Sequence, residues 1–343
     1  MKRHLNTLFV TTQGAHLAKE GQTVVVKVDG EVRMQLPVHN LGSIVCFGQV
    51  SASPFLLGHC AENAVGVSFL TEHGRFLARV HGATSGNVLL RREQYRRADD
   101  PARCASIARA IVVAKVANCR VALLRAQRDR PHGEGAERLR AAAEVLAGHL
   151  VALEREPDLD ATRGIEGIAA RDYFAVFDDL ISQQKEDFRF SGRSRRPPLD
   201  RMNALLSFVY TLLVHDVQGA LESVGLDPAV GFLHRDRPGR PGLALDLMEE
   251  FRPFFADRLV LSLVNLRQLD ARSFRVAESG AVLLNDDGRK AVLTAYQSRK
   301  LDVLEHPFLG EQTTVGLLPH LQALLLARHL RGDLDAYPPF FWR

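Results

Sequence analysis

The apolar residues of this chain change their spacing near residue 102, and this change constrains the fold more than any other feature of the sequence. Before it, short runs of β-branched residues are separated by turn residues, as in a sheet. After it, apolar residues recur about every 3.6 positions almost to the end of the chain, as in amphipathic helices. The sequence therefore predicts an α+β protein: a small N-terminal β-sheet domain, then a larger, mostly α-helical domain with a short β-hairpin insertion at residues 273–284.

The amino-terminal domain, residues 1–85, is predicted to be a small and mostly antiparallel sheet. A short helix is expected at Pro54–Asn63, and turn signals such as Asp29-Gly30 separate the apolar runs. The predicted strands are Leu8–Thr12, Val24–Val28, Val32–Leu36, Ser43–Phe47, Gly66–Leu70 and Phe76–Val80. No catalytic residue types collect in this region, so the chemistry is expected in the helical domain.

A hinge is predicted at residues 86–101, before a helical domain that covers residues 102–343. Four arginines cluster there around Gln94 and Tyr95; they are Arg91, Arg92, Arg96 and Arg97. Such a cluster can hold a phosphate backbone, and it can equally be a solvated, charged linker.

Composition limits the classes of protein to which the chain can belong. Its 343 residues suggest about two domains, and 46% hydrophobic with 24% charged residues is ordinary for a well-cored protein. The four cysteines include no C-x-x-C pair, which argues against a zinc ribbon or a redox motif. The longest apolar stretch, Leu205–Val214, is interrupted by polar residues and is too short for a membrane span. We therefore expect a soluble, cytoplasmic protein that does not enter a membrane.

The basic residues are mostly arginine, because only seven of the 44 lysines and arginines are lysine. Arginine favours bidentate phosphate contacts, although a GC-rich genome produces the same bias. In the segment Lys185–Arg201, arginines alternate with Phe188 and Phe190; they are Arg189, Arg193, Arg195 and Arg196. This pattern is typical of a loop that contacts single-stranded or junction DNA, and also of a solvated, disordered loop. Tyr210, on the helix that follows, is among the small polar groups that often form the wall of an active site.

The stretch Gly231–Pro253 collects the residue types that most strongly suggest chemistry. Its loop carries His234, and the helix predicted to begin at Pro241-Gly242 carries Asp246, Glu249 and Glu250 at positions i, i+3 and i+4. The three carboxylates should share one face, where a cation would relieve their repulsion. One interpretation is a hard-cation site formed with His234. The other is that the acids are solvated and His234 only caps or packs.

A second candidate centre surrounds Glu166, in the first turns of a predicted helix that Asp160 or Thr162 could cap. Gly164 and Gly167 flank it, and glycine inside a helix costs about 1 kcal/mol relative to alanine. The pair therefore suggests close approach of another backbone or of a substrate. Glu166 contributes to a site only if it meets His234.

Several motifs, spread over nearly the whole chain, carry a resemblance to a known family. They are Leu5-Asn-Thr-Leu-Phe-Val-Thr-Thr-Gln-Gly14, Gly82–Gln94 with its run Gly-Asn-Val-Leu-Leu-Arg-Arg-Glu-Gln, Arg163-Gly-Ile-Glu166, Pro197-Pro-Leu-Asp-Arg-Met-Asn-Ala-Leu-Leu-Ser207, Leu233-His234, Leu245-Asp-Leu-Met-Glu249-Glu-Phe-Arg-Pro253 and Gln322-Ala323. Together they resemble the CRISPR-associated integrase and endonuclease family called Cas1, and look closest to its branch in subtype I-C systems. The resemblance implies an amino-terminal β domain, a helical catalytic domain, a homodimer, and a small Cas2-type partner protein.

The resemblance also implies a metal site. Glu166, His234 and Glu249 match the family's ligands for Mg²⁺ or Mn²⁺, and Asp246 is the second choice for the last position, with Glu250 adjacent. The implied reaction is attack by the 3′-hydroxyl of a short double-stranded DNA on a phosphodiester at the edge of a CRISPR repeat, and the use of water instead gives nuclease activity. Residues expected to hold DNA are Arg91, Arg92, Arg189, Arg193, Arg195, Arg196, Tyr210 and Arg240.

Two other functions remain open from the sequence. One is a non-catalytic DNA-binding scaffold subunit with a decayed site, against which the presence of all three ligand types argues. The other is a general metal-dependent DNA nuclease without integrase activity. Strand-transfer assays distinguish all three.

Overall fold

The structure, a computed structural model, describes residues 6–80, 82, 88–133, 135–155 and 157–342. The chain divides into two compact units, one made of Met1–Gly86 with Gln297–Asp302 and the other of Asn87–Tyr296 with Val303–Arg343. The sequence did not indicate that residues 297–302 belong with the first unit. The predicted fold class is confirmed, since the amino-terminal part is a β structure and the remainder is mainly helical.

The first unit is built from two four-stranded sheets within its described residues. Their strand orders are β1-β5-β7-β8 and β4-β3-β2-β6. The strands are β1 (Asn6–Val10), β2 (His16–Glu20), β3 (Thr23–Val28), β4 (Glu31–Pro37), β5 (Leu41–Phe47), β6 (Ser51–Ala52), β7 (Gly66–Leu70) and β8 (Phe76–Val80). The helix α1 (Pro54–Glu62) confirms the predicted short helix.

The expectation of a mostly antiparallel sheet was wrong, because β1 runs parallel to β5 and β5 parallel to β7. A parallel pair needs a crossover connection, and α1 supplies it between β5 and β7. The sequence runs identified most of the strands but could not show which edges pair. They also missed β2, whose sequence His-Leu-Ala-Lys-Glu has none of the β-branched residues that mark the other strands.

Within its described residues, the second unit is formed by helices and two small hairpins. Its α-helices are α2 (Val88–Asp99), α3 (Pro101–Asp129), α4 (Ala136–Glu154), α5 (Leu159–Ala175), α6 (Arg201–Ser223), α7 (Gly242–Met248), α8 (Arg258–Asn265), α9 (Asp286–Lys300, whose last turn belongs to the first unit) and α10 (Leu318–Arg331). The predicted hairpin is confirmed by β9 (Phe274–Val276) and β10 (Val282–Leu284). A further antiparallel pair was not predicted, β11 (Val303–Glu305) with β12 (Gln312–Thr314).

The segment predicted as a hinge is not a linker over most of its length. Residues 88–99 form helix α2, which packs against α3 and α10. Its residues Leu90 and Gln94 are buried, at 1% and 0% exposure. A buried helix face of this kind fixes α2 to the helical unit, so the arginines on it are carried by a rigid element.

Helix α3 is the central element of the helical unit and packs against both α4 and α5. It begins where the side chain of Asp100 accepts hydrogen bonds from the N–H groups of Ala102 and Arg103, with Pro101 in the first turn. Two polar residues, Lys115 and Asn118, lie in its otherwise apolar buried face, at 7% and 0% exposure. Buried polar groups of this kind need partners. Lys115 finds them in the site described below, and Asn118 donates to the backbone carbonyls of Glu250 and Phe340.

Helix α6 is the one helix in the described part of the chain that is long and apolar enough to cross a membrane by length and composition. The prediction that its apolar stretch is too short was wrong in this respect, because the helix continues over polar residues to Ser223. However, 61% of its apolar window is buried inside the protein, as in the core helix of a soluble domain.

The chain changes its helical geometry between α7 and α8. Helix α7 ends at Met248, and after a turn the residues Arg252–Asp257 form a π-helical segment that leads into α8. Widened turns of this kind occur frequently at functional sites, because they redirect the side chains around them. Glu249 and Glu250 lie in the transition.

Candidate active site

The site is centred on the ammonium group of Lys115, which joins two of the predicted ligands. Its Nζ forms a short ion pair with Oε1 of Glu166, on α5, and lies 2.7 Å from Oε2 of Glu249. Lys115 is 7% exposed and Glu249 is 2% exposed, so both charges are largely removed from water. Residues distant in the sequence therefore meet at one nitrogen atom.

Arg252 provides the second cation of the site. Its guanidinium lies 2.9 Å from Oε1 of Glu249 and 4.8 Å above the ring of Tyr210. Burial by itself raises the pKa of Glu249, but the positive charges of Arg252 and Lys115 outweigh it and lower that pKa to about 2. Glu249 is therefore an anion at neutral pH.

Asp246 faces the His234 loop and takes no part in this charge cluster. Its side chain is 0% exposed, and its two oxygens accept hydrogen bonds from the backbone N–H groups of Phe232, Leu233 and His234, at 2.6, 2.9 and 2.9 Å. A fourth contact of 2.6 Å joins it to Nδ1 of His234. With both oxygens engaged in this way, we no longer expect Asp246 to touch an ion. It orients the imidazole, as the carboxylates behind metal-binding histidines do.

The loop that carries His234 is fixed from three further directions. The side chain of Gln94 donates to the carbonyl oxygens of Asp227 and Val230, both at 2.8 Å. The thiol of Cys104 donates to the carbonyl of Phe232 at 3.1 Å. Arg163, one turn before Glu166 on α5, donates to the carbonyl of Leu233 at 2.6 Å and so ties the two chemical segments together.

Nε2 of His234 is the outward nitrogen of this arrangement. It has no hydrogen-bond partner within the residues that the structure describes, and the side chain is 19% exposed. Because Nδ1 is held by Asp246, the proton is expected on Nδ1, and Nε2 then presents its lone pair.

Glu250 points away from Glu249 and accepts hydrogen bonds mainly from the carboxyl-terminal tail. It accepts hydrogen bonds from Tyr337 at 2.7 Å, from Gln322 at 3.0 Å and from the backbone N–H of Phe340 at 2.8 Å. Burial raises its pKa to about 8, although these three donors lower it. The two neighbouring carboxylates therefore have different environments: Glu249 lies against cations, which lower its pKa, and Glu250 lies among neutral donors in the core, where burial raises its pKa.

The prediction that Asp246, Glu249 and Glu250 share one face was wrong. Helical spacing assumes that the helix continues, whereas α7 ends at Met248 and the chain tightens there. The three carboxylates consequently point to the His234 loop, to Lys115 and to the tail. Of the three, the structure leaves Glu249 as the carboxylate that meets Glu166.

Gly231 allows the loop and α7 to approach each other closely. A Cβ placed there would lie 2.7 Å from Oδ2 of Asp246 and 2.7 Å from the backbone carbon of Gly242. We expect Gly231→Ala to destabilise the protein by about 2–4 kcal/mol, because backbone must shift to relieve the overlap.

Thermal unfolding measures this destabilisation, and Gly148→Ala in α4 is the control. A Cβ at Gly148 meets nothing within 4 Å, so this change should stabilise the helix by about 0.5–1 kcal/mol. Equal unfolding free energies for the two variants would contradict the close approach.

The surroundings of Gly164 and Gly167, the two glycines beside Glu166, are more open than predicted. A Cβ on Gly164 or Gly167 would meet nothing within 4 Å, so no other backbone approaches there within the described residues. The expectation of a close backbone contact was therefore wrong. The open space leaves the surface of α5 around Glu166 accessible to a large ligand.

The arginine-rich loop, Lys185–Arg201, is anchored to the core by its aromatic residues. Phe188 and Phe190 are 0% and 5% exposed and pack in the core, so they cannot stack on DNA bases. Asn203 binds the loop by accepting from the N–H of Ser194 and donating to the carbonyl of Gly192. The remaining arginines of the loop face solvent on this fixed backbone; they are Arg189, Arg195 and Arg196.

Arg193 is the exception in this loop, because it turns inward toward the site. Its guanidinium lies 5.4 Å from the ring centre of Tyr210 and 5.7 Å from that of Phe174. Tyr210 thus has Arg193 and Arg252 against it, and its hydroxyl donates to Asp257 at 2.6 Å. Of these two guanidinium groups, Arg252 also contacts Glu249, so the wall that they form around Tyr210 carries positive charge that suits a phosphate.

The other predicted DNA contacts lie outside this cluster. Arg92 is exposed on α2 and Arg91 is partly buried there. Arg240 is partly buried in the loop between His234 and α7, where it lines a groove with Arg237 and Gln218. Their roles in binding DNA stay predictions.

Sequence reasoning missed Lys115, Arg252 and Asp257. Asp257 is 1% exposed and accepts hydrogen bonds from Tyr173 at 3.1 Å and from Tyr210. A signal for Lys115 was present, since it lies one helical turn from Ile111 and Cys119 in the apolar stripe of α3, where a lone charge needs a partner. No comparable pattern marks Arg252, whose role depends on the π-helical segment.

The donor set suits a hard divalent ion. Oε2 of Glu249 is buried and accepts no well-aligned hydrogen bond from the described residues, so its contact with Lys115 is an ion pair only. Glu166 has its second oxygen unpaired among those residues, and His234 presents Nε2. Carboxylate oxygens with one imidazole are the ligands that Mg²⁺ and Mn²⁺ accept. Within the described residues, no three His, Cys, Asp or Glu side chains are already grouped closely enough to hold an ion, and Lys115 contacts both Glu166 and Glu249. A three-ligand site therefore stays a prediction.

Comparison with known proteins places the chain in a family. The sequence profile of the CRISPR associated protein Cas1 matches residues 8–298. The chain belongs to the Cas1 family. It is 59% identical to the CRISPR-associated endonuclease Cas1 1 of Chlorobaculum tepidum and 53% identical to the CRISPR-associated endonuclease Cas1 2 of Rhodospirillum rubrum, with 100% of both chains covered in each comparison. The predicted family and enzyme class are thereby confirmed, and the subtype stays a prediction.

Solved structures share the fold of this Cas1 chain. A Cas1 protein from Thermotoga maritima superposes with a TM-score of 0.82 at 25% identity, covering 98% of this chain and 100% of that one. A casposase bound to an integration product gives a TM-score of 0.84 at 22% identity, covering 98% and 94%. The second likeness shows a common fold only.

Proposed function

We propose that this Cas1 chain is a metal-dependent DNA integrase and endonuclease, which joins the 3′-hydroxyl of a short DNA to a phosphodiester at the edge of a CRISPR repeat. The observation that carries the proposal is the meeting of Glu166 and Glu249 at one buried cationic nitrogen, with the His234 loop tied to the helix of Glu166 through Arg163. Membership of a family whose relatives are named endonucleases supports it.

In this proposal Glu166, Glu249 and His234 hold one Mg²⁺ or Mn²⁺ ion. When bound, such an ion polarises the scissile phosphate and lowers the pKa of the attacking hydroxyl. Asp246 keeps the imidazole in the tautomer whose Nε2 can bind the ion, and Arg163 keeps its loop against α5. The fixed loop and the charged wall together preorganise the site before DNA arrives.

Arg252 and Arg193 are proposed to bind the phosphate being exchanged. Both guanidinium groups pack on Tyr210, so their positions are set by stacking rather than by solvent-exposed rotamers. Arg252 also balances part of the charge of Glu249, which prevents the acidic pair from repelling a phosphate. The other basic side chains predicted to bind DNA hold its backbone further away; they are Arg91, Arg92, Arg189, Arg195, Arg196 and Arg240.

One phosphodiester replaces another in this reaction, so no nucleotide hydrolysis is required. Consistent with this, the sequence contains no G-x-x-x-x-G-K-[ST] phosphate loop. We further propose that the protein acts in the cytoplasm as a homodimer with a Cas2-type partner, on double-stranded DNA with free 3′ ends.

The test uses the purified chain with its Cas2-type partner, a labelled short DNA and a supercoiled plasmid that carries a CRISPR repeat. We expect a joined product with Mn²⁺ or Mg²⁺, none with EDTA, and none when the donor ends in a 3′-phosphate. Glu166→Gln should lower the joining rate about a thousandfold. The bound ion stabilises the transition state by several kcal/mol, and each 1.4 kcal/mol of that stabilisation lost slows the reaction about tenfold.

The control variant is Glu144→Gln, a change of the same type at an ion pair on α4 whose two side chains are both 68% exposed. It should leave the rate unchanged. Cleavage without joining would assign the protein to general nucleases. DNA binding with neither reaction would make it a scaffold subunit.

A further inference from the structure

Lys115 occupies the position at which a shared cation would be expected. Its Nζ contacts one oxygen of Glu166 and one oxygen of Glu249, and these are two of the three proposed ion ligands. Lys115 lies on the buried face of α3, where it is 7% exposed and the nearby Ile111 and Val112 are 0% exposed. The ammonium is therefore an internal part of the acidic pair and not a surface group that has folded over it.

The charges of the cluster balance without any added ion. Glu166 and Glu249 contribute two negative charges, and Lys115 and Arg252 contribute two positive ones. Without Lys115, two carboxylates with little access to water would repel each other. With a divalent ion added and Lys115 still in place, the cluster would carry a charge of about +2 in a poorly solvated environment, which is strongly unfavourable.

Of the two cations, Lys115 is the one able to give way. Arg252 is held by stacking on Tyr210 at 4.8 Å as well as by its 2.9 Å contact with Glu249. Lys115 has no ring contact, and its hydrogen bonds and ion pairs go to the two carboxylates. A lysine ammonium is a point charge on a flexible four-carbon stem, so it can leave this position by rotation about single bonds.

We propose that Lys115 is an internal counterion that holds Glu166 and Glu249 together in the ion-free protein, and that a divalent ion displaces its ammonium from between them. The displaced ammonium stays beside the open positions of the site, where it can meet a substrate phosphate. The inference rests on the proposed function, because it requires that the ion bind Glu166 and Glu249. Lys115 is thus a positioning residue that also opposes ion binding.

The first experiment measures Mn²⁺ affinity on the full-length protein after removal of ions with EDTA, using the electron paramagnetic resonance signal of free Mn²⁺. Lys115→Met should bind Mn²⁺ about tenfold more tightly than the wild type, within the range typical of coupling between competing ligands. The ion-free variant should melt at a lower temperature, and the rise in melting temperature on adding Mn²⁺ should be larger. Lys115→Arg keeps the charge and should not tighten binding.

The matched control is Lys300→Met, which removes another buried lysine, 5% exposed, from the other unit. It should leave Mn²⁺ affinity unchanged. Unchanged or weaker Mn²⁺ binding by Lys115→Met would overturn the inference.

A second measurement needs no variant of uncertain stability. The chain has seven lysines, so ¹⁵N-lysine labelling gives few side-chain signals, and the buried, ion-paired ammonium of Lys115 should be among the slowly exchanging ones. Diamagnetic Mg²⁺ should shift or remove that signal. A signal that persists unchanged at saturating Mg²⁺ would also overturn the inference.

Failure of the inference can be told apart from failure of the proposed function. If the wild type and Glu166→Gln bind Mn²⁺ equally, the ion does not use this site and the proposed function fails. If Glu166→Gln weakens binding but Lys115→Met does not tighten it, the metal site stands and only the role of Lys115 is wrong.

Discussion

Replacing Glu249 with glutamine is expected to lower the rate of metal-dependent DNA joining about a thousandfold, whereas the same change at the adjacent Glu250 should leave that rate within about fivefold of the wild type. Glu249 faces Lys115 and Arg252, at 2.7 and 2.9 Å. Glu250 faces Tyr337, Gln322 and the backbone of the tail. One variant removes a proposed ion ligand, and the other removes a hydrogen-bond acceptor of the core.

Both variants should be less stable than the wild type, so a difference in joining rate between them cannot be explained by stability alone. Each loses the charge of a buried carboxylate that contacts neighbouring side chains, at a cost of about 1–3 kcal/mol or more. Melting temperatures therefore serve as the control, and joining rates are measured well below both. A large loss of rate in Glu250→Gln, with a small one in Glu249→Gln, would reverse the assignment of the two neighbours.

The second large effect is expected at Asp246. Asp246→Asn replaces one acceptor oxygen by an NH₂ group, which is a donor. This group would face backbone N–H groups that donate to the oxygen in the wild type, so donor would meet donor. We expect a loss of about 3–5 kcal/mol of unfolding free energy, because buried donors are left without partners. The joining rate should also fall about 10–100-fold, as for other residues that orient a metal-binding histidine.

The loss of rate has a specific origin that can be measured separately. The amide introduced by Asp246→Asn cannot hold the proton of His234 on Nδ1 as a carboxylate does, so the tautomer with the proton on Nε2 gains population and cannot bind an ion. ¹⁵N spectra of the imidazole report this tautomer directly. A spectrum with the proton still on Nδ1 would contradict the orienting role of Asp246.

A second histidine–aspartate pair provides the control. His149 on α4 and Asp172 on α5 are 2.8 Å apart, with 19% and 23% of their side chains exposed. Asp172→Asn makes the same chemical change in a pair that holds no loop. It should alter stability by about 1 kcal/mol or less and leave the joining rate unchanged.

Local structure was largely predictable from the sequence. The helix α1 and the hairpin β9–β10 were predicted to within a residue or two. These elements have strong periodicity, caps or turn residues nearby in the chain, and such signals need no knowledge of the rest of the fold. The parallel pairing of β1, β5 and β7 was not predictable in the same way, because strand runs do not specify their neighbours.

The site shows where local reasoning ends. Helical spacing grouped Asp246 with Glu249 and Glu250, and the end of α7 at Met248 separated them. Aromatic residues in the arginine-rich loop suggested base stacking, and burial of Phe188 and Phe190 excluded it. In both cases the sequence pattern was real, but the direction of a side chain depends on packing against elements that are far away in the chain.

By itself, the sequence determined many of the helical and strand segments, the division into a β part and a helical part, and through its motifs the Cas1 family. Tertiary structure alone decided which charges meet: Lys115 with Glu166 and Glu249, Asp246 with the His234 loop, and Glu250 with the tail. The physical reason is that periodicity and capping act over a few residues, whereas a buried charge is stable only beside a partner that packing brings from another part of the chain.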